Sequence, residues 1–135
     1  MNYWLVKTEP ETYGWDDLNK LGQDMWDGVR NYQARNHLNE MKQGDLVLFY
    51  HSGKAREVVG IAEVVRESYP DPTTDDNRWV VVDIIPKEAL KKSVPLKLIK
   101  ETDMLQNMKL IKQSRLSVMP VEKEEFDKIL ELSTH

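Results

Sequence analysis

Short runs of β-forming residues, separated by turn-rich segments, occupy the first two thirds of the chain. Turn residues such as those of "TEPETYG" and "HSGKA" interrupt these runs, as expected between strands. We therefore predict four strands over residues 2–7, 44–51, 56–67 and 78–85, the last of which ends at Pro86.

Both faces of these strands are apolar. In the strand over 44–51, Leu46, Leu48 and Tyr50 point to one side, and Val47 and Phe49 point to the other. A sheet that is apolar on both faces must be covered on both faces. The pattern predicts an α+β protein with a small closed or half-closed β-barrel, in which helices cover the outer side.

Helical periodicity begins after residue 30 and returns near the end of the chain. Ala34, Leu38 and Met41 follow helical spacing and define one apolar face of a helix over residues 31–42. Phe126, Ile129 and Leu130 do the same near the end. The further predicted helices cover residues 15–21, 95–101, 103–108 and 121–132, and a last strand is predicted over 114–121.

Length and composition favour one soluble domain over residues 1–135. The chain is 40% hydrophobic and 31% charged, values typical of a globular protein. It has no cysteine, which rules out disulfides and a thiolate nucleophile. No charged leader or long apolar run is present, so we expect a cytoplasmic protein that does not enter membranes.

The charge is distributed unevenly. The net charge of −4 argues against binding nucleic acid through overall phosphate neutralisation. Eight Lys/Arg residues nevertheless stand against three acids between residues 87 and 115, while acids gather over 71–76. This distribution fits both a local basic face and an ordinary solvated surface.

No sequence motif for a metal, a nucleotide cofactor or a nucleophile is present. The three histidines, His37, His51 and His135, lack metal-binding spacing. Neither a GxGxxG nor a GxxxxGK[ST] pattern occurs, and nothing resembles a nucleophile elbow. We therefore expect no metal, no cofactor and no catalytic residue, with enzyme chemistry kept as an alternative.

The segment "WDGVRNYQARN" over residues 26–36 has almost no aliphatic residue. On the helix predicted there, Tyr32, Asn36 and Asn39 face away from the apolar side. Rings that stack on nucleobases, amides that read base edges and arginines that hold phosphate form a set suited to nucleic acid. The alternative is structural, with Trp26 anchored in the core and the charges solvated.

Several sequence blocks, in a fixed order along the chain, favour the nucleic-acid alternative. "YWLVKTEPETYGWDDL", "WDGVRNYQARNHL", "GDLVLFYHS", "VVGIAEVV", "YPDPT" and "QSRLSV" together resemble the EVE domain family over almost the whole chain. The resemblance implies a PUA-like β-pseudobarrel related to YTH domains. It also implies a non-enzymatic reader of a modified base, most often modified cytosine in DNA. An RNA-binding module and an enzyme acting on modified nucleotides remain the alternatives.

The same resemblance implies a set of site residues. The first strand ends at Lys7, Thr8 and Glu9, the place from which YTH-like folds contact their nucleotide. The base-binding pocket is expected to comprise Trp26, Val29, Asn31, Tyr32, Phe49, Tyr50, His51, Ser52, Ser114 and Ser117. Phosphate contacts are expected from Lys7, Thr8, Arg30, Arg35 and Arg115. The expected partner is modified DNA, with RNA as the alternative, bound by a monomer.

Overall fold

The computed structural model describes residues 1–134, and His135 lies outside the described residues. The six strands are β1 (Tyr3–Thr8), β2 (Asp24–Met25), β3 (Leu46–His51), β4 (Glu57–Pro70), β5 (Val80–Pro95) and β6 (Val118–Val121). The helices are α1 (Trp15–Leu21), α2 (Tyr32–Glu40), α3 (Leu96–Glu101), α4 (Lys109–Lys112) and α5 (Lys123–Leu132), with a 3₁₀ turn over Asp103–Leu105. The α+β class is confirmed.

The six strands form one mixed sheet that rolls up on itself. Its order is β2-β5-β4-β3-β1-β6. The β1–β3 pair is parallel, and every other pair is antiparallel. Trp26 follows the edge strand β2, yet its ring centroid lies 5.5 Å from that of Phe49 in β3. The rolled sheet therefore brings chain segments together that are far apart in the strand order.

Both faces of β3 are buried, as its residue pattern predicted. Val47, Leu48 and Phe49 have no exposed surface, and Tyr50 is buried as well. Strands with two covered faces have continuous apolar sequences.

None of the helices within residues 1–134 has the length and apolar character that a membrane span requires.

Three predicted elements differ from the observed ones. The strand predicted to end at Pro86 continues to Pro95. Pro86 pairs with Ala62 beside a register shift in β4, a place where a residue without an N–H is tolerated. The helix predicted over 103–108 is reduced to the 3₁₀ turn. The last strand begins only at Val118 rather than at residue 114.

Replacing Gly60 by alanine is expected to destabilise the fold. A Cβ at Gly60 would lie 2.6 Å from the ring of the buried Trp15. Overpacking of this kind costs about 1–3 kcal/mol, which thermal denaturation will measure as a lower Tm. In a double-mutant cycle, Trp15→Phe should relieve part of the Gly60→Ala penalty. Strict additivity of the two effects would contradict the proposed steric cause.

Candidate functional site

A cavity of about 480 Å³ opens between β1, β2 and the segment just before β6. Its volume lies within the range of small-molecule binding sites. Six of the residues expected in the site line this cavity, namely Lys7, Thr8, Trp26, Val29, Arg30 and Ser117. These residues come from three separate chain segments that meet only because the sheet is rolled.

The indole of Trp26 is both a core residue and a cavity wall. Only 9% of the residue is exposed. Its ring meets Phe49 edge-on at 5.5 Å and Tyr13 edge-on at 6.1 Å. Its backbone N–H donates to the Val82 carbonyl at 2.8 Å. Trp26 is therefore anchored in the core, as the structural alternative expected, and it also lines the cavity.

The loop after Trp26 is held by a buried carboxylate. Gly28 adopts a φ of +78°, which glycine accommodates without a steric penalty. Its N–H donates to Asp71 Oδ2 at 3.2 Å. Arg30 Nη1 donates to the same oxygen at 3.0 Å. Because the Asp71 side chain is fully buried, it fixes this loop and the Arg30 guanidinium in place.

Asp71 makes the loop sensitive to strong acid. Burial by itself raises the pKa of Asp71, but hydrogen bonds from Thr73, then from Arg30 and Gly28, outweigh it and hold the pKa at about 2, below the usual 3.8. A carboxylate with a depressed pKa stabilises the fold above its unfolded value, and this contribution disappears as the pH falls through the folded value.

Urea denaturation of the wild type and Asp71→Asn between pH 2 and pH 6 will test this prediction. The free-energy difference between them is expected to be constant above about pH 5 and to shrink towards pH 2. A difference that does not change with pH would contradict the ionised state of Asp71.

Lys7 and Thr8 form the β1 side of the cavity. Lys7 Nζ donates to the Ser114 carbonyl at 2.8 Å, and burial lowers the pKa of Lys7. Thr8 Oγ1 donates to the Tyr13 carbonyl at 2.7 Å, so its hydroxyl proton is engaged within the protein. On this side of the cavity the positive charge comes from Lys7.

Carboxylates and a phenol form another part of the wall. Tyr13, Asp24 and Asp27 all line the cavity. The Tyr13 hydroxyl is shielded from solvent and lies beside the Asp24 carboxylate. Burial, and then the nearby Asp24 carboxylate, raises the pKa of Tyr13. Asp24 Oδ1 accepts from the Met25 N–H at 2.8 Å, which orients the carboxylate at the cavity wall.

Four expected pocket residues are absent from the cavity wall. Phe49 and Tyr50 are buried in the core, and Phe49 supports Trp26. His51 Nε2 accepts the Trp15 N–H at 3.1 Å. The Ser52 N–H donates to the Thr8 carbonyl at 2.8 Å. Phe49 and Ser52 therefore each contact a residue of the wall, Trp26 and Thr8 respectively.

Five other expected residues lie on the surface beside the cavity. Asn31, Ser114 and Arg115 border a shallow hollow of about 320 Å³. The Asn31 side-chain oxygen accepts from the Ala34 N–H at 2.9 Å and caps α2, so this oxygen is already engaged. Tyr32 is 51% exposed, packs on Trp79 at 5.2 Å and lies 5.0 Å from the Arg35 guanidinium.

Sequence reasoning missed half of the cavity lining. The missed residues are Thr12, Tyr13, Asp24, Met25, Asp27 and Gly28. One signal was available, because Asp24 to Gly28 directly flank Trp26 and Tyr13 lies in the turn that follows Lys7 and Thr8. Turns after strands carry functional groups more often than the strands do.

The rolled mixed sheet with peripheral helices and an edge cavity defines an α+β protein of the PUA-like class. An ASCH protein from Zymomonas mobilis superposes with a TM-score of 0.62 at 12% identity, over 97% of this chain and 95% of that one. This similarity shows the fold alone.

The chain belongs to the EVE domain family, whose family model matches residues 2–132. It is 38% identical to thymocyte nuclear protein 1 of Mus musculus over 97% of this chain and 73% of that protein. It superposes on human THYN1 protein, solved in complex with DNA containing 5-methylcytosine, with a TM-score of 0.94 at 34% identity, over 100% of this chain and 99% of that one.

Proposed function

We propose that this protein is a non-enzymatic reader of a modified base in DNA, with modified cytosine as the principal ligand. The observation that carries the proposal is the cavity of about 480 Å³ with Trp26 in its wall. Two cationic side chains, Lys7 and Arg30, also line it. The relation to human THYN1 protein, solved with DNA containing 5-methylcytosine, supports the same function.

The base must leave its stack to enter the cavity. Unstacking costs a few kcal/mol, and contact with an aromatic wall returns about 1–3 kcal/mol per base. A buried methyl group adds only about 0.8 kcal/mol, or up to about 3 where the pocket fits it closely. We therefore expect a preference for the methylated base of about fourfold to 200-fold.

The neighbouring surface extends the site beyond one base. Arg30 is fixed beside the cavity by Asp71, and Arg115 borders the adjoining hollow. In our proposal both contact flanking phosphates, and the exposed Tyr32 ring contacts a flanking nucleotide. Phosphate contacts position the nucleic acid without reading its sequence. The base preference must therefore arise in the cavity.

A direct test is fluorescence anisotropy with matched oligonucleotides. Duplex DNA containing one cytosine or one 5-methylcytosine, and RNA of the same sequences, should be titrated at fixed salt. Tighter binding of 5-methylcytosine DNA than of unmodified DNA is the expected result. Equal affinity for both duplexes would overturn the proposal, and a preference confined to RNA would favour an RNA-binding module.

Turnover distinguishes a reader from an enzyme. A reader leaves the oligonucleotide unchanged after long incubation and reaches saturation at one site per chain, as we expect for a monomer. Conversion of the modified base by catalytic amounts of protein, detected by mass spectrometry, would overturn the non-enzymatic assignment.

The absence of cysteine suits a reducing compartment, and we propose that this activity takes place in the cytoplasm.

Replacing Lys7 by glutamine is expected to weaken the binding of modified and unmodified DNA to the same extent. A lost phosphate contact reduces the slope of log affinity against log salt by about 0.9. Titration of both duplexes at three salt concentrations will measure that slope. A loss confined to the methylated duplex would instead place Lys7 at the base.

A further inference from the structure

A basic groove lies away from the cavity, between the β3–β4 turn and α3. Its volume is about 440 Å³. Four cationic side chains line it, Lys54, Arg56, Lys97 and Lys100, against a single acid, Glu101. We call this feature the basic groove. It adds a local excess of positive charge to a chain whose net charge is −4.

The four cations of the basic groove are available to a ligand. Within residues 1–134, none of them forms an ion pair, whereas Arg30, Lys42, Arg78, Lys87, Lys123 and Lys128 all do. All four are exposed. Unpaired cations repel one another unless an anion lies between them. Their clustering therefore fits an anionic partner better than it fits fold stability.

The backbone places one of these cations in an uncommon conformation. Arg56 has a φ of +47° and is the only residue other than glycine with a positive φ among residues 1–134. Its carbonyl accepts the Leu96 N–H at 2.8 Å, which ties the β3–β4 turn to the start of α3. Strained backbone that is held in place in this way is often found at functional sites.

The basic groove and the cavity lie at the same edge of the sheet. Because β1 and β3 are parallel, Thr8 at the end of β1 pairs with His51 at the end of β3, just before the turn that carries Lys54. Glu57 pairs with Pro95, which brings the start of α3 to that edge. The acid Glu9 also lies there, with its Cγ 4.0 Å from a Cβ built at Gly53.

We propose that the basic groove binds the sugar–phosphate backbone of the same DNA whose base occupies the cavity. This inference rests on the proposed function, and it adds a second contact region that reads no sequence. A shared edge lets one continuous strand reach both features. A polyanion that carries several charges suits four cations that line one groove.

The double variant Lys97→Gln/Lys100→Gln tests this second contact region. Two lost phosphate contacts should reduce the salt slope by about 1.8 and weaken binding by on the order of tenfold at moderate salt. The loss should be equal for cytosine and 5-methylcytosine duplexes, so their affinity ratio should be retained. Affinity for the single nucleotide 5-methyl-2′-deoxycytidine monophosphate should be unchanged, because this ligand has no flanking backbone.

Lys42→Gln/Lys123→Gln is the control with the same change in net charge, made at two lysines that each pair with an acid. Lys42 precedes β3 and Lys123 follows β6, so both lie at the opposite edge of the sheet, since Tyr3 pairs with Leu46 and Val121. Removing the same charge there should change the salt slope less than the groove variant does. Equal effects of the two double variants would show a general charge effect and overturn the proposal.

The remaining outcomes distinguish failure of the groove proposal from failure of the proposed function. Unchanged affinity and salt slope in the groove variant, with the methylcytosine preference intact, would overturn the groove proposal alone. Failure of the wild type to bind either duplex would overturn both. Binding of fluorescently labelled polyglutamate to the wild type that is lost in the groove variant, while the affinity for both duplexes and the salt slope stay unchanged, would assign the groove to an acidic peptide and overturn the proposal.

Discussion

Replacing Trp26 by alanine is expected to abolish the preference for 5-methylcytosine and to destabilise the fold. The ring forms part of the cavity wall and packs against both Tyr13 and Phe49. Truncating a buried tryptophan to alanine costs about 3–5 kcal/mol, which lowers Tm by roughly 10–20 °C in a chain of this size. Calorimetry and anisotropy will measure the two effects.

Trp26→Phe separates binding from stability. It retains an aromatic core residue while reducing the stacking surface, so we expect a folded protein with a weakened preference. Trp4→Phe is the control, because Trp4 is also buried but bonds Asp45 at the opposite edge of the sheet. It should lose stability and keep the preference. A Trp26→Phe protein with unchanged preference would remove Trp26 from the proposed site.

A second large effect is expected when thymine replaces 5-methylcytosine in the ligand. The two bases share their methyl group, and they differ in the group at position 4 and the proton on N3. The amino group of cytosine can donate to a carboxylate such as Asp24, whereas the thymine carbonyl would face that carboxylate unpaired. We expect thymine to bind about fivefold to 150-fold more weakly, which corresponds to about 1–3 kcal/mol.

Single-stranded oligonucleotides are the appropriate ligands for this comparison, because they avoid the different costs of opening a matched or mismatched pair. Asp24→Asn should reduce the difference in affinity between the 5-methylcytosine and thymine oligonucleotides, since an amide can also donate to the thymine carbonyl. Asp75→Asn, in an exposed loop outside the cavity, should leave this difference unchanged. Equal binding of the two bases by the wild type would show that Asp24 does not read the base edge.

The fold was predictable where the sequence has a clear period. The apolar pattern of β3 identified a strand with two buried faces, and the spacing of Ala34 and Leu38 identified α2. The continuation of β5 through Pro86 was not predictable, because it depends on a register shift in the partner strand β4. From local sequence alone a proline is expected to end a strand, and only the pairing with β4 shows that Pro86 lies beside an irregularity where its missing N–H is tolerated.

The site was predictable only in part. Motif resemblance led to Trp26, Lys7 and Arg30, which do line the cavity. It also led to Phe49, which is fully buried behind Trp26. A motif preserves residues that support a wall as well as residues that form it, so sequence cannot separate the two groups. Tyr13 and Asp24 were missed because their turn and strand show no period of their own.

The sequence by itself determined the fold class, the family and the chemical character of the segment after Trp26. These properties depend on local periodicity and on ordered blocks of residues, which the chain carries without reference to its contacts. The tertiary structure decided which side chains face the cavity, what fixes Arg30, and where the unpaired lysines gather. Those properties depend on contacts between residues far apart in sequence, such as Arg30 with Asp71 and Arg56 with Leu96, which form only when the sheet rolls.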